Sequence, residues 1–293
     1  MHHPRSVLAT LSWLFGPVLV LVILSGAGTA RAGCGPDAAP CELAGGSYEI
    51  ELPDGAAAPL PAVMFVHGHG SSGVGTMKNR GMVDALLARG YAVIAPSGSA
   101  MQGRDGRHWS FRPSSPGTRD DIAFLMAVRD DAAARFGLDR GRMLLAGFSV
   151  GGSMVSHLAC AKPDAFAAYA PVSGGFWRPH PAGCAGPVRL LHTHGWTDTT
   201  VPLEGRILRS AGADGQPVAQ GDIFATMEIW RMANGCTGLR ADAFVTEGPF
   251  WRRSWTRCSP GTALELALFP GDHRIPLGWS AMALDWFEAL PPG

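Results

Sequence analysis

Excess charge of either sign is missing from this 293-residue chain, in which 24 basic residues balance 24 acidic ones. No block of like charge occurs, so the composition carries no footprint of a nucleic-acid-binding protein or of a polyanionic partner. Lysine is nearly absent, with only Lys78 and Lys162, and arginine supplies the other basic positions. We read that as coding bias rather than function. There is no C-x-x-C and no close cysteine and histidine pair, which argues against a structural zinc site. No metal or other cofactor is expected, and no internal repeat is visible.

What is present begins at the N-terminus. His2, His3 and Arg5 precede an apolar stretch over about 8–24, and Ala30-Arg31-Ala32 follows. A charged start, an apolar middle and an A-x-A end predict a secretory signal peptide over 1–32, cleaved after Ala32. The expected location is therefore secreted, with no stable membrane partner once the signal is removed. The alternative is an uncleaved anchor, because the apolar stretch is nearly long enough to span a bilayer. A lipoprotein is disfavoured: Arg31 stands three residues before Cys34, where a lipid-attachment box wants an aliphatic residue.

Six cysteines follow, Cys34, Cys41, Cys160, Cys184, Cys236 and Cys258. An even count after an export signal implies disulfides, and six cysteines allow fifteen pairings. Sequence neighbours make the plainest set.

Residues 33–46, rich in Gly, Ala and Pro, read as an extended N-terminal segment. Residues 47–293 fit one large domain. Strands are expected at 47–52, 62–66, 91–95, 143–146, 167–172, 188–193 and 264–269. Helices are expected at about 76–88, 120–136, 153–160, 222–233 and 277–290. Short, wholly apolar strands alternating with helices predict an α/β fold with a doubly wound, mostly parallel sheet and helices on both faces. Longer irregular stretches at 97–117, 174–186 and 202–221 each follow a strand's C-terminal end, where ligands sit in such sheets. The third looks like a flexible surface excursion.

The strongest motif is RMLLAGFSVGG at 142–152. An apolar strand runs into Gly147-Phe148-Ser149-Val150-Gly151, and a helix-compatible segment follows, the context expected of a nucleophile elbow. The flanking glycines remove side chains that would collide at so sharp a turn. A serine nucleophile needs a base, and the base needs an acceptor to fix its tautomer. Asp198, in HTHGWTD after the 188–193 strand, and His273, in FPGDH after the 264–269 strand, occur in the order serine, acid, histidine. Ser149, Asp198 and His273 are thus the candidate catalytic residues. Asp272 adjoins His273, but adjacent side chains rarely face each other. His192, inside a strand, is read as a hydrogen-bonded core residue, and His157, on the helix after the elbow, as a packing residue. Backbone donors for a developing oxyanion are expected at Val150, next to the nucleophile, and at His69 in His67-Gly68-His69-Gly70, with Gly70 as second choice.

These pieces resemble the secreted esterases of the polyhydroxybutyrate depolymerase and feruloyl esterase type, within the α/β-hydrolases. The matching segments are HGHGSSG, DDIAFL, GFSVGG, HGWTDTTVP, WRMANGC with RC, and PGDH, covering about 60–290. The resemblance implies the same triad, ester hydrolysis through an acyl-enzyme, and a disulfide between Cys236 and Cys258. The histidine segment departs from the pattern: it reads GDHRIP where a glycine-rich stretch with Trp-Pro is typical. Val150 stands where members often carry a polar residue.

Trp109, Trp177 and Trp196 are candidate substrate-binding residues, able to stack on a phenolic acyl group or a sugar. The expected partner is an ester: a hydroxyalkanoate oligomer, or a feruloylated or acetylated saccharide. Because no linker or adsorption domain is seen after the catalytic unit, soluble oligomers and plant-wall esters are favoured over solid polymer. Two other readings are an acyltransferase on the same fold and a non-catalytic binding module.

Overall fold

The computed structural model describes residues 1–2, 33–55, 57–103, 105–111, 119–210 and 217–291. The expected signal peptide falls almost entirely outside them. Residues 33–46 contain strand β1 (Cys41–Leu43), which pairs antiparallel with β2 (Gly46–Glu51). The expected extended segment is therefore partly built into the sheet, and a Cys34–Cys41 disulfide closes it.

Two wholly apolar runs, β3 (Leu60–Val66) and β4 (Ala92–Pro96), are buried along nearly their whole length. Burial on both faces is the condition for a central parallel strand. Between them the chain makes two helices, α1 (Gly73–Met77) and α2 (Arg80–Ala88), where the sequence suggested one. The break falls at Asn79, whose ψ of 71° is not helical. A short hairpin, β5 (Ser99–Ala100) with β6 (Arg107–His108), occupies part of the first long loop. Helix α3 (Asp121–Phe136) begins at an Asp120 cap that accepts from the Ala123 N–H and stops at Gly137, φ 65°, as its sequence signals demand.

Strand β7 (Leu138–Phe148) leads into α4 (Val150–Ala161), followed by β8 (Ala168–Val172) and β9 (Arg189–Gly195). The third long loop is less of an excursion than expected. It carries a hairpin of β10 (Arg206–Arg209) and β11 (Val218–Gln220), and β11 is buried. Then come α5 (Ile223–Ala233), the antiparallel pair β12 (Ala243–Glu247) and β13 (Phe250–Trp255), β14 (Ala263–Phe269) and α6 (Trp279–Glu288).

The main sheet runs β1-β2-β4-β3-β7-β8-β9-β14-β13-β12. Its six central strands are parallel, with an antiparallel pair added at each edge. Helices α3, α4 and α5 pack on one face around Phe124, Met154 and Trp230. Helices α1, α2 and α6 pack on the other around Met77, Leu86 and Trp279. The parallel strands point one way, so the loops after β3, β7, β9 and β14 share one end of the sheet.

Candidate active site

The turn between β7 and α4 puts Ser149 at φ 58°, ψ −122°, a conformation that L-residues rarely adopt. Its neighbours show why the sequence tolerates nothing larger there. A Cβ on Gly151 would lie 2.1 Å from the Val66 carbonyl oxygen, and one on Gly147 2.7 Å from the Gly151 oxygen. The Ser149 N–H donates to the Val172 carbonyl at 2.9 Å, tying the strained residue to β8.

Ser149 Oγ lies 2.8 Å from His273 Nε2, and His273 Nδ1 lies 2.7 Å from Asp198 Oδ2. The three expected catalytic residues, separated by up to 124 positions, therefore form one hydrogen-bonded chain. An acceptor at Nδ1 fixes the proton there and leaves Nε2 to accept the serine proton. Asp198 is buried, and its second oxygen accepts from the N–H groups of Thr200 at 2.9 Å and Val201 at 2.8 Å. Burial works to raise its pKa. The hydrogen bonds from His273 and Val201 and the nearby imidazoles outweigh that and hold the carboxyl below its usual range.

His194 was not singled out by its sequence position, yet it stands behind the acid. Its Nε2 donates to the Val201 carbonyl at 2.8 Å and lies 3.6 Å from Asp198 Oδ2. With Nε2 protonated, Nδ1 must accept, and it does so from His192 Nε2 at 3.0 Å. The two rings stack with centroids 5.3 Å apart, and His192 Nδ1 is left buried without a partner. Burial drives the pKa of both imidazoles down, so both stay neutral. The signal was the H-x-H alternation in HTHG, which points both rings to one face of a strand.

The loop after β3 comes close to the serine: a Cβ on Gly68 would meet Ser149 Cβ at 3.5 Å. His67 holds this loop. Its Nε2 accepts from the Gly98 N–H at 3.0 Å, so Nδ1 carries the proton, donated to the Gly68 carbonyl at 2.7 Å. Burial lowers its pKa to about 4. Of the expected oxyanion donors, Val150 begins α4, where helix N–H groups lack an internal acceptor. Gly70, the second choice, gives its N–H to the Arg107 carbonyl at 2.9 Å. His69, the first choice in this loop, lines both cavities beside the serine.

Two cavities share His69. One, about 580 Å³, is lined by Ser149, His273, Phe148, Thr200 and Ile275 among others. The other, about 290 Å³, is lined by Val150, Trp109, Phe111, Trp177 and Arg209 among others. The aromatic candidates separate accordingly. Trp109 is buried, with its indole N–H given to the His67 carbonyl at 2.9 Å, so it supports the loop while its ring lines the smaller cavity. Trp177 lines the same cavity and bonds Ser153 Oγ at 3.1 Å. Trp196 is not brought to either cavity; it is exposed against Trp251, and its backbone N–H donates to the Phe269 carbonyl at the end of β14. Three disulfides, Cys34–Cys41, Cys160–Cys184 and Cys236–Cys258, join sequence neighbours.

Residues 46–188 match the family described as Esterase PHB depolymerase. Feruloyl esterase B of Piromyces equi is 26% identical over 198 residues, covering 64% of this chain and 35% of the relative. A putative esterase, NocK, of Nocardia uniformis subsp. tsuyamanensis is 32% identical over 169 residues, covering 56% of this chain and 45% of its own. The chain thus spans less than half the length of these curated relatives. An acetyl xylan esterase from Aspergillus awamori superposes with a TM-score of 0.60 at 15% identity, over 83% of this chain and 94% of the other. A Bacillus cereus carboxylesterase gives 0.54 at 14% identity, over 85% and 96%. At such identities these structures speak for the fold, and the sequence relatives for the family. The matches support a polyhydroxybutyrate depolymerase/feruloyl esterase-like family for the matched region, on an α/β-hydrolase fold.

Proposed function

We propose that the chain is a secreted serine carboxylic ester hydrolase working through an acyl-enzyme on feruloylated or acetylated saccharides. The observation that carries this is the unbroken chain from Ser149 Oγ through His273 to Asp198, at 2.8 and 2.7 Å. Ser149 Oγ attacks the ester carbonyl as its proton passes to His273 Nε2. The N–H groups of Val150 and His69 are assigned to stabilise the oxygen that becomes negative. His273 returns the proton to the leaving alkoxide, and the acyl group stays on Ser149. Water then attacks, again losing its proton to His273; the acid leaves and the serine regains its hydrogen. Asp198 holds the imidazole in the required tautomer and stabilises the imidazolium.

The two cavities that share His69 offer separate housing for the acyl and alcohol sides of the ester, and Trp109, Phe111 and Trp177 give the smaller one an aromatic lining. The names of the relatives favour feruloyl and acetyl-sugar esters; the matched family makes hydroxybutyrate oligomers the rival substrate. Three disulfides and the expected signal peptide support secretion.

The test is hydrolysis of p-nitrophenyl acetate and butyrate by wild type and Ser149→Ala, followed by methyl ferulate, acetylated xylan and hydroxybutyrate oligomers. Ser149-dependent turnover with preference for the first two of these is expected. A folded wild type that turns over no ester refutes the reading.

A further inference from the structure

Outside both cavities, a row of exposed side chains leads away from the loop that carries Asp198. Trp196 is 54% exposed and Trp251 41%, and their rings meet edge to face with centroids 6.2 Å apart. Trp251 is paired with Leu268, next to Phe269, whose carbonyl accepts the Trp196 backbone N–H; this places the pair at the catalytic end of the sheet. Two residues further along β13, Arg253 points to the same side as Trp251, because strand side chains alternate. Arg253 is paired across the strands with Phe244, which is 51% exposed. The guanidinium groups of Arg253 and Arg240 each lie 5.5 Å from the Phe244 ring centroid.

The two arginines stand out from their neighbours. Arg252 is paired with Glu247 and Glu265, and Arg257 with Asp242. Among the described residues, neither Arg240 nor Arg253 has a carboxylate within ion-pair distance. Two like charges on one phenyl ring repel each other, and the two indoles beside them keep much of their surface in water. Isolated exposed apolar residues need no explanation, but a contiguous row of rings and unanswered charges does. The balanced net charge of the whole chain hides this local excess, because a hairpin and the loop before it bring the two arginines together.

We propose that this strip holds an acidic polysaccharide chain, one with uronate carboxylates among neutral sugars, beside the catalytic loop. The proposal deepens the esterase reading and rests on it for the purpose of the contact, which is to keep an ester-bearing polymer near Ser149. The ring faces of Trp196 and Trp251 suit the C–H-rich faces of sugars. The planar guanidinium groups match carboxylates in a two-pronged geometry that no neutral polymer answers. A hydroxyalkanoate polyester would use the rings and leave both charges unanswered.

Affinity electrophoresis of the full chain as Ser149→Ala separates binding from turnover. It is run in gels containing glucuronoxylan, neutral arabinoxylan or single-stranded DNA, at about 50 and about 500 mM salt, since screening weakens exposed charge contacts. Retardation by glucuronoxylan is expected, weakened by salt and weakened about tenfold in Arg240→Ser/Arg253→Ser, a loss of about 1.4 kcal/mol. Trp251→Ser should weaken retardation by both xylans. All three positions are exposed, and thermal melting checks that the variants fold. Four results overturn the proposal: no retardation by glucuronoxylan, retardation unchanged in the variants, stronger retardation by DNA, or a dimer in gel filtration that Trp251→Ser dissociates. If wild type binds as expected but cleaves no ester, the esterase reading fails and the docking surface stands.

Discussion

Replacing Asp198 by Asn separates charge and tautomer from shape. The asparagine fills the same space, and the buried N–H groups of Thr200 and Val201 still require an acceptor. Turning the amide nitrogen toward them would leave both unsatisfied, at about 1–3 kcal/mol each. The amide oxygen therefore stays with the backbone, and the NH2 faces His273 Nδ1, 2.7 Å from the replaced oxygen. An NH2 there donates, so Nδ1 must accept and the imidazole proton moves to Nε2. The nitrogen 2.8 Å from Ser149 Oγ can then no longer take the serine proton. The expected loss in kcat is about 10⁴-fold, or about 5 kcal/mol in barrier, with little change in folding stability. Initial rates on p-nitrophenyl butyrate with a thermal melt of each protein provide the assay. A folded Asp198→Asn protein retaining more than about a tenth of wild-type kcat refutes the assignment of Asp198 to His273, since loss of the acceptor alone should exceed that.

His194 acts on the reaction through Asp198 as a positioning residue: His194→Leu strips the Val201 carbonyl of its donor and should cost about 1–3 kcal/mol of stability. His194→Gln keeps an N–H in reach and should recover part of kcat with KM unchanged; equal behaviour of the two variants contradicts the role. His157 is partly buried between Phe111 and Phe176, with its buried Nε2 unpartnered, and desolvation lowers its pKa from 6.5 to about 4. The unfolded chain binds the proton first as pH falls, so its contribution to stability is full above pH 6.5 and is lost below it, by about 2 kcal/mol at pH 5. The depressed Asp198 loses its contribution only at lower pH, below the ordinary carboxyl value of 3.8. His157→Phe should therefore gain about 2 kcal/mol on wild type between pH 7 and pH 5 in urea unfolding, and a constant difference contradicts this. Gly151→Ala drives a Cβ to within 2.1 Å of a backbone oxygen and should abolish soluble, active protein; a wild-type melting temperature would show that the elbow can relax.

Much of the site was legible because its chemistry constrains residue type and order. Gly147, Gly151 and Ser149 marked a turn that few sequences allow, and the strand ends before Asp198 and His273 put both at one end of a parallel sheet. The β12–β13 hairpin was not legible: β12 is exposed along nearly its whole length, so it lacks the apolar run by which buried strands are recognised. The split between α1 and α2 turns on one backbone angle at Asn79, which hydrophobic spacing does not encode. Trp196 shows a different gap. The sequence offered Trp196 as a substrate contact; its place against Trp251, apart from both cavities, follows from the packing of β13 beside β14, which sequence spacing does not encode.

The account stands or falls on a covalent intermediate at Ser149. Acid quenching of the protein during turnover of p-nitrophenyl butyrate, followed by peptide mass spectrometry, reads this directly. A butyryl group on the peptide containing Ser149, absent in Ser149→Ala, is the predicted result. Turnover with no acyl group on Ser149, or an acyl group on another residue, would contradict it.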